Sequence, residues 1–178
     1  LSTSYAIIKK HDGNIFVESK PGAGSVFNIY LPANREKVSI KYISEEETVA
    51  GAGRIVIMDD DVLVRESLGE ILTAIGYIVD FASNGKEVID IYKNAKESND
   101  PVDAVIMDLT IPGGMGGKET ISELIKIDPN VKAVVSSGYS NDPVMADFRK
   151  FGFSGVLKKP YKDIAELSRL LSKLTARP

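Results

Sequence analysis

The chain of 178 residues has no cysteine, which removes disulfides, thiol nucleophiles and cysteine-bound metals together and fits a reducing compartment. Its single histidine, His11, stands before Asp12-Gly13 in a predicted turn and reads as an ordinary exposed side chain rather than a phosphodonor or metal ligand. There is no basic excess. With 22 Lys and Arg against 25 Asp and Glu the net charge is -3, so nothing suggests a nucleic-acid surface. No apolar run approaches the roughly 20 residues that cross a bilayer, so no membrane contact is expected from this segment, although a longer parent could be anchored. An initiator methionine and the charged-then-apolar plan of a signal peptide are both missing, which points to a cytoplasmic fragment of something longer. Internal repeats and extended low-complexity tracts are absent too.

What is present is a set of short apolar runs that each lead into polar residues. Ile55-Val56-Ile57-Met58 leads into Asp59, Asp60 and Asp61, and Ala104-Val105-Ile106-Met107 into Asp108. Ala133-Val134-Val135 leads into Ser136-Ser137, and Gly155-Val156-Leu157 into Lys158-Lys159-Pro160. Successive apolar residues without alternation are expected of parallel strands buried on both faces. Between the runs, Val64, Leu68, Ile71, Leu72 and Ile75 recur at helical spacing, as do Ile164, Leu167, Leu170, Leu171 and Leu174. A further strand is predicted over 77–81, with helices over 86–96, 118–127 and 143–151, the last opened by Pro143 after Asn141-Asp142. From Arg54 the pattern is strand then helix, five times over: an α/β sandwich of the doubly wound kind. In such a sheet the ligand crevice lies beyond the carboxyl ends of the strands, so the polar residues ending the runs should converge.

Convergence of Asp59, Asp60 and Asp108 sets three carboxylates against one another and calls for a cation. Oxygen ligands, no cysteine and no nearby histidine point to Mg²⁺. Asp108 is then the candidate nucleophile, able to accept a phosphoryl group as an acyl phosphate. Lys159 would neutralise charge on the transferred oxygens, and the Ser137 hydroxyl would donate a hydrogen bond to one of them. Taken singly, Asp59 or Asp60 reads as a strand-end cap and Lys159 as a surface lysine; the set at this spacing carries the functional reading. Asp61 reads as solvated surface and Ser136 as strand interior. Gly51-Ala52-Gly53 precedes its strand, so it cannot cradle a phosphate. In Gly113-Gly114-Met115-Gly116-Gly117-Lys118, Pro112 takes the place of the first P-loop glycine and Glu119 that of the Ser or Thr.

These residues resemble the receiver domain of two-component response regulators. The resemblance covers residues 54–178 and implies a flavodoxin-like (βα)5 fold with a parallel five-stranded sheet of order 2-1-3-4-5. It implies Asp59 and Asp60 as the acidic pair, Asp108 as phosphoacceptor, Ser137 as switch hydroxyl and Lys159 before a cis-prone Pro160. Asp60, Asp108 and the Thr110 carbonyl would hold Mg²⁺, with Asp59 acting through water. Pro112 and Gly116, four and eight residues after Asp108, fit the loop such domains carry. Val156 departs from the pattern, because receivers commonly have Tyr or Phe three residues before the lysine. The expected readout is therefore movement of the loop after Ser137, with Tyr139 as an aromatic participant.

Residues 1–32 resemble the closing helix and hairpin of a histidine kinase ATP-binding domain, through the run 1–13, Ile15-Phe16-Val17-Glu18-Ser19 and Pro21-Gly22-Ala23-Gly24-Ser25-Val26-Phe27. A lone helix and hairpin bury too little to stand alone. Residues 33–53, with Glu45-Glu46-Glu47, read as a linker. The resemblance implies a piece of a hybrid histidine kinase whose receiver takes a phosphoryl group from a kinase phosphohistidine and can pass it to a histidine phosphotransfer protein. Without a complete ATP site or phosphodonor histidine, the segment would catalyse at most its own phosphorylation and dephosphorylation. Two rivals are a haloacid dehalogenase-type phosphatase, which wants an Asp where Thr110 stands, and an interaction module that is never phosphorylated.

Overall fold

A computed structural model describes residues 2–33, 50–138 and 142–176. The chain divides into two compact units, Leu1–Tyr42 and Ile43–Pro178. The expected linker lies, for residues 34–49, outside the described residues, as does Tyr139. In the first unit, helix α1 (Ser2–Lys10) precedes an antiparallel hairpin of β1 (Asn14–Lys20) and β2 (Gly24–Tyr30), in register with Asn14 opposite Tyr30 and Lys20 opposite Gly24. Gly22 and Gly24 take φ of 77° and 88° at its turn, a region that favours glycine. Among its described residues only Ile8 and Gly13 are buried, while Phe16, Val17, Val26, Phe27 and Ile29 are exposed. The described residues of this unit form no core of their own.

The second unit is built on five parallel strands: β3 (Arg54–Met58), β4 (Ile78–Ala82), β5 (Ala104–Asp108), β6 (Ala133–Ser137) and β7 (Gly155–Lys158). Their order is β4-β3-β5-β6-β7, which counted within this unit is 2-1-3-4-5. The unbroken apolar runs follow from the period-2 pleat with helices on both faces. Val56, Met58, Val105 and Met107 join Val88, Tyr92, Ile121 and Leu124 in one core layer, under α3 (Gly85–Glu97) and α4 (Gly117–Ile127). Ile55, Ile57, Ile106 and Val134 join Leu68, Leu72, Leu167 and Leu171 in the other, under α2 (Val62–Ala74) and α6 (Ile164–Thr175). Strand β4, at the edge, departs from burial on both faces, leaving Ile78 and Phe81 exposed. Residues 51–53 already pack on this unit: Gly51 N–H donates to Ile75 O at 2.7 Å, and a Cβ on Gly51 would fall 2.1 Å from the Tyr77 ring.

The helix expected over 143–151 is two pieces, α5 (Pro143–Ala146) and a 3₁₀ turn at Phe148–Phe151. Phe148 and Phe151 both lie on the core, and Lys150 pairs with Asp147 at 2.6 Å. Partners three residues apart suit three residues per turn, and Gly152 at φ 91° ends the segment. Asp61 is exposed as expected yet does more than meet solvent: its side chain caps α2, accepting from Leu63 N–H at 2.9 Å. Such caps contribute about 1 kcal/mol.

Tyr92 ties α3 to the end of α4, its hydroxyl donating to Asp128 Oδ2 at 2.9 Å. Burial, reinforced by the Asp128 hydrogen bond and charge, pushes the phenol well above its ordinary pKa. A raised folded pKa gives stability that is fully present below the unfolded value near about pH 10 and is lost as pH rises through the folded one. Urea midpoints should therefore fall above about pH 10, and the Tyr92→Phe protein should show a shallower fall. An equally steep fall would remove Tyr92 from the explanation.

Candidate functional site

The ends of β3, β5 and β7 meet at one edge of the sheet, and each delivers a charge. Asp59 follows β3 and is 2% exposed. One of its carboxylate oxygens accepts from the Asp61 N–H at 3.0 Å, and the other from Lys159 Nζ. Lys159 Nζ also reaches Asp108 Oδ2 at 2.6 Å, so a single ammonium bridges the ends of two strands. Asp60, the neighbour of Asp59, is exposed at the mouth. Ligand atoms of Asp59, Asp60 and Asp108 all lie within 4.8 Å of one another. Three carboxylates this close form a hard-oxygen donor set of the kind that suits a small divalent cation.

Lys159 is not the surface lysine that a residue-by-residue reading suggests; its side chain is 17% exposed. Burial by itself would lower the ammonium's pKa, but the hydrogen bonds to Asp108 and Asp59, with the charge of Asp108, outweigh it and raise the pKa. The lysine is therefore charged throughout the neutral range. Its N–H donates to Ser137 O at 3.0 Å, and the Lys159-Pro160 peptide is cis. Ser137 ends β6 and is 4% exposed, beside Asp108 in sheet order because Asp108 pairs with Ser136. Thr110 is exposed on the loop after β5, its N–H 3.4 Å from Asp108 Oδ1.

The glycines after Asp108 allow a close approach rather than cradling phosphate. A Cβ on Gly116 would lie 2.5 Å from Leu109 O and one on Gly117 2.8 Å from Asp108 O, both unyielding backbone atoms. Their absence lets α4 begin directly against the end of β5. His11 is exposed on the other unit, its Nδ1 2.9 Å from Ile7 O.

Two contacts escape residue-by-residue reading. Arg65, on α2, donates to the carbonyl of Asp59 and ties the β3 end to that helix. Tyr161 places its hydroxyl 2.8 Å from Ser136 Oγ. Neither depends on a signal visible in one sequence: the first crosses a helix turn, the second crosses the sheet. Tyr161 titrates above its ordinary range, first through burial; the Ser136 hydrogen bond and Lys159 charge oppose this, and Asp59 and Asp108 reinforce it.

Comparison with known proteins follows the same lines. The sensor kinase CckA of Brucella abortus is 31% identical over 173 residues, spanning 90% of this chain but 18% of the kinase. The chemotaxis protein CheY of Thermotoga maritima is 36% identical over 110 residues, 61% of this chain and 87% of CheY. The crystal structure of the response regulator TrrA of Thermotoga maritima in complex with Mg²⁺-BeF is 30% identical with a TM-score of 0.57, covering 68% of this chain and 98% of that one. Residues 55–172 match the response regulator receiver domain, which decides against the haloacid dehalogenase alternative. On that match, this chain belongs to the response regulator receiver domain family.

Proposed function

We propose that the chain accepts a phosphoryl group on Asp108 from a phosphohistidine, as the receiver of a hybrid histidine kinase. An Asp108 carboxylate oxygen attacks phosphorus, the P–N bond breaks, and its electron pair goes to the imidazole nitrogen of the donor. Lys159 Nζ, 2.6 Å from Asp108 Oδ2, supplies fixed positive charge to the transferred oxygens. The Ser137 hydroxyl donates to one of them, which draws the β6 end inward and biases the surface formed by α5 and β7. Asp60, Asp108 and the Thr110 carbonyl are the residues that would hold Mg²⁺, with Asp59 acting through water. Bound there, Mg²⁺ supplies charge neutralisation for the phosphoryl group.

The observation that carries this reading is Lys159 bridging Asp59 and Asp108 beside the exposed carboxylate of Asp60. Incubation of the chain with Mg²⁺ and acetyl phosphate should add the mass of one phosphoryl group, lost on brief alkaline treatment and not formed in EDTA. No adduct under these conditions would favour the unphosphorylated interaction module, and an adduct mapped elsewhere would displace Asp108.

Residues 1–32 are assigned as the closing helix and hairpin of a kinase ATP-binding domain, 33–53 as linker and 54–178 as receiver. The apolar side chains left exposed along β1 and β2 support the first assignment, as does a match to CckA that spans 90% of this chain. Calorimetric titration with Mg-ATP should give no micromolar binding, because a helix and hairpin are too little of a nucleotide fold. The partners proposed are the phosphodonor domain of a histidine kinase and a downstream histidine phosphotransfer protein. No described helix is long and apolar enough to cross a membrane, and we assign the segment to the cytoplasm.

A further inference from the structure

Ser136 is 1% exposed, so its hydroxyl is shut off from bulk solvent, and Tyr161 Oη lies 2.8 Å away. Both residues border the reactive group without belonging to it. Ser136 lies opposite Asp108 in the parallel ladder, and its carbonyl accepts Leu109 N–H at 3.0 Å. Tyr161 follows Lys159 by two residues. Its ring packs against the core layer under α2 and α6 and lines a groove of about 590 Å³ with Leu63, Val64 and Ile71. Following the contacts from Asp108 to Lys159, along the chain to Tyr161, across to Ser136 and back to Asp108 through the ladder closes a ring.

We infer that the Tyr161–Ser136 hydroxyl pair is a positioning element that fixes the Lys159 ammonium over Asp108. This rests on the reading of Asp108 as phosphoacceptor. The apolar ring would fill its place as phenylalanine equally well, so packing accounts for the ring and leaves the hydroxyl unexplained. The backbone bond from Lys159 N–H to Ser137 O at 3.0 Å fixes where the loop leaves the sheet. It does not fix how Pro160 and Tyr161 turn over the site. The phenol supplies that second point of attachment, and it does so on the strand that also carries Ser137. Its burial keeps it neutral, so the hydrogen bond persists across the neutral range.

The test uses the full chain with Tyr161→Phe, Ser136→Ala and the double substitution, all checked for folding by circular dichroism. Each single change should slow acetyl-phosphate-driven phosphorylation roughly five-fold, the worth of one ordinary hydrogen bond. The double variant should be slowed by the same factor of about five rather than about 25, because one interaction is lost in all three. In metal-free protein the side-chain resonances of Lys159 should shift in Tyr161→Phe, which a filling role would leave in place. An unchanged rate, multiplied losses or unshifted Lys159 resonances would each overturn the inference. Failure of the unsubstituted chain to take up phosphoryl would instead overturn the acceptor reading, and the resonances would still decide whether the tether holds Lys159.

Discussion

Asp108→Asn will take up no phosphoryl group from acetyl phosphate and will make the metal-free protein more stable. The first effect follows from the proposed role of Asp108 as nucleophile, and adduct formation should fall below about a thousandth of the unsubstituted rate. The second follows from charge. Asp59, Asp60 and Asp108 bring ligand atoms within 4.8 Å of one another, and one ammonium serves two of them. An amide at 108 removes two repulsions and leaves Lys159 paired with Asp59, so the net gain is about 1 kcal/mol after the lost pair is discounted. Urea unfolding in EDTA measures it, and intact mass measures the adduct. Retained phosphorylation would show a different acceptor. A drop in stability would show that the Lys159–Asp108 pair outweighs the repulsion. Activity and stability are expected to move in opposite directions because the proposed acceptor stands among like charges.

How far this site could be read in advance depends on which forces place each residue. Asp59, Asp108 and Lys159 each end or follow an apolar run, and a parallel sheet sends all such ends to one edge, so backbone topology alone gathers them. The core was legible for the same reason: Ile55 and Ile57 turn to one layer and Val56 and Met58 to the other by the pleat. Tyr161 and Ser136 were not, because a hydroxyl finds its partner through rotamers across the sheet, which no run or period records. Its place in an apolar run marks Ser136 only as strand interior. The 3₁₀ turn at Phe148–Phe151 was missed because apolar residues three apart satisfy a helical period equally well, and the choice between turns rests on tertiary packing of the two rings. Asp61 is exposed as the sequence suggests, and its position just before Val62 carries the further signal of a helix cap.

Lys159→Ala should damage the protein in two separable ways, and Mg²⁺ should repair only one. Among the described residues its ammonium is the one cation held against both Asp59 and Asp108, and Asp59 is 2% exposed. Removing one partner of a buried pair strands the other charge, which costs about 3 kcal/mol. The loss should be visible at neutral pH. Lys159 has its pKa raised in the folded protein, so its contribution is fully present below the unfolded value near about 10.4 and fades only as pH rises beyond it. A cation held by Asp60, Asp108 and the Thr110 carbonyl, and reaching Asp59 through water, would take over that compensation. At a Mg²⁺ concentration about a hundred times its dissociation constant, binding should return about 2.7 kcal/mol. Phosphoryl transfer should not recover with it. In the proposed role Lys159 would stabilise charge on the moving group, and removal of such a donor should leave the rate about 100-fold down even when Mg²⁺ saturates the site. Paired urea titrations and acetyl-phosphate time courses across a Mg²⁺ series separate the two. If stability and rate recover together, Lys159 acts only as a structural counter-charge; if neither depends on Mg²⁺, the proposed ligands do not form its site.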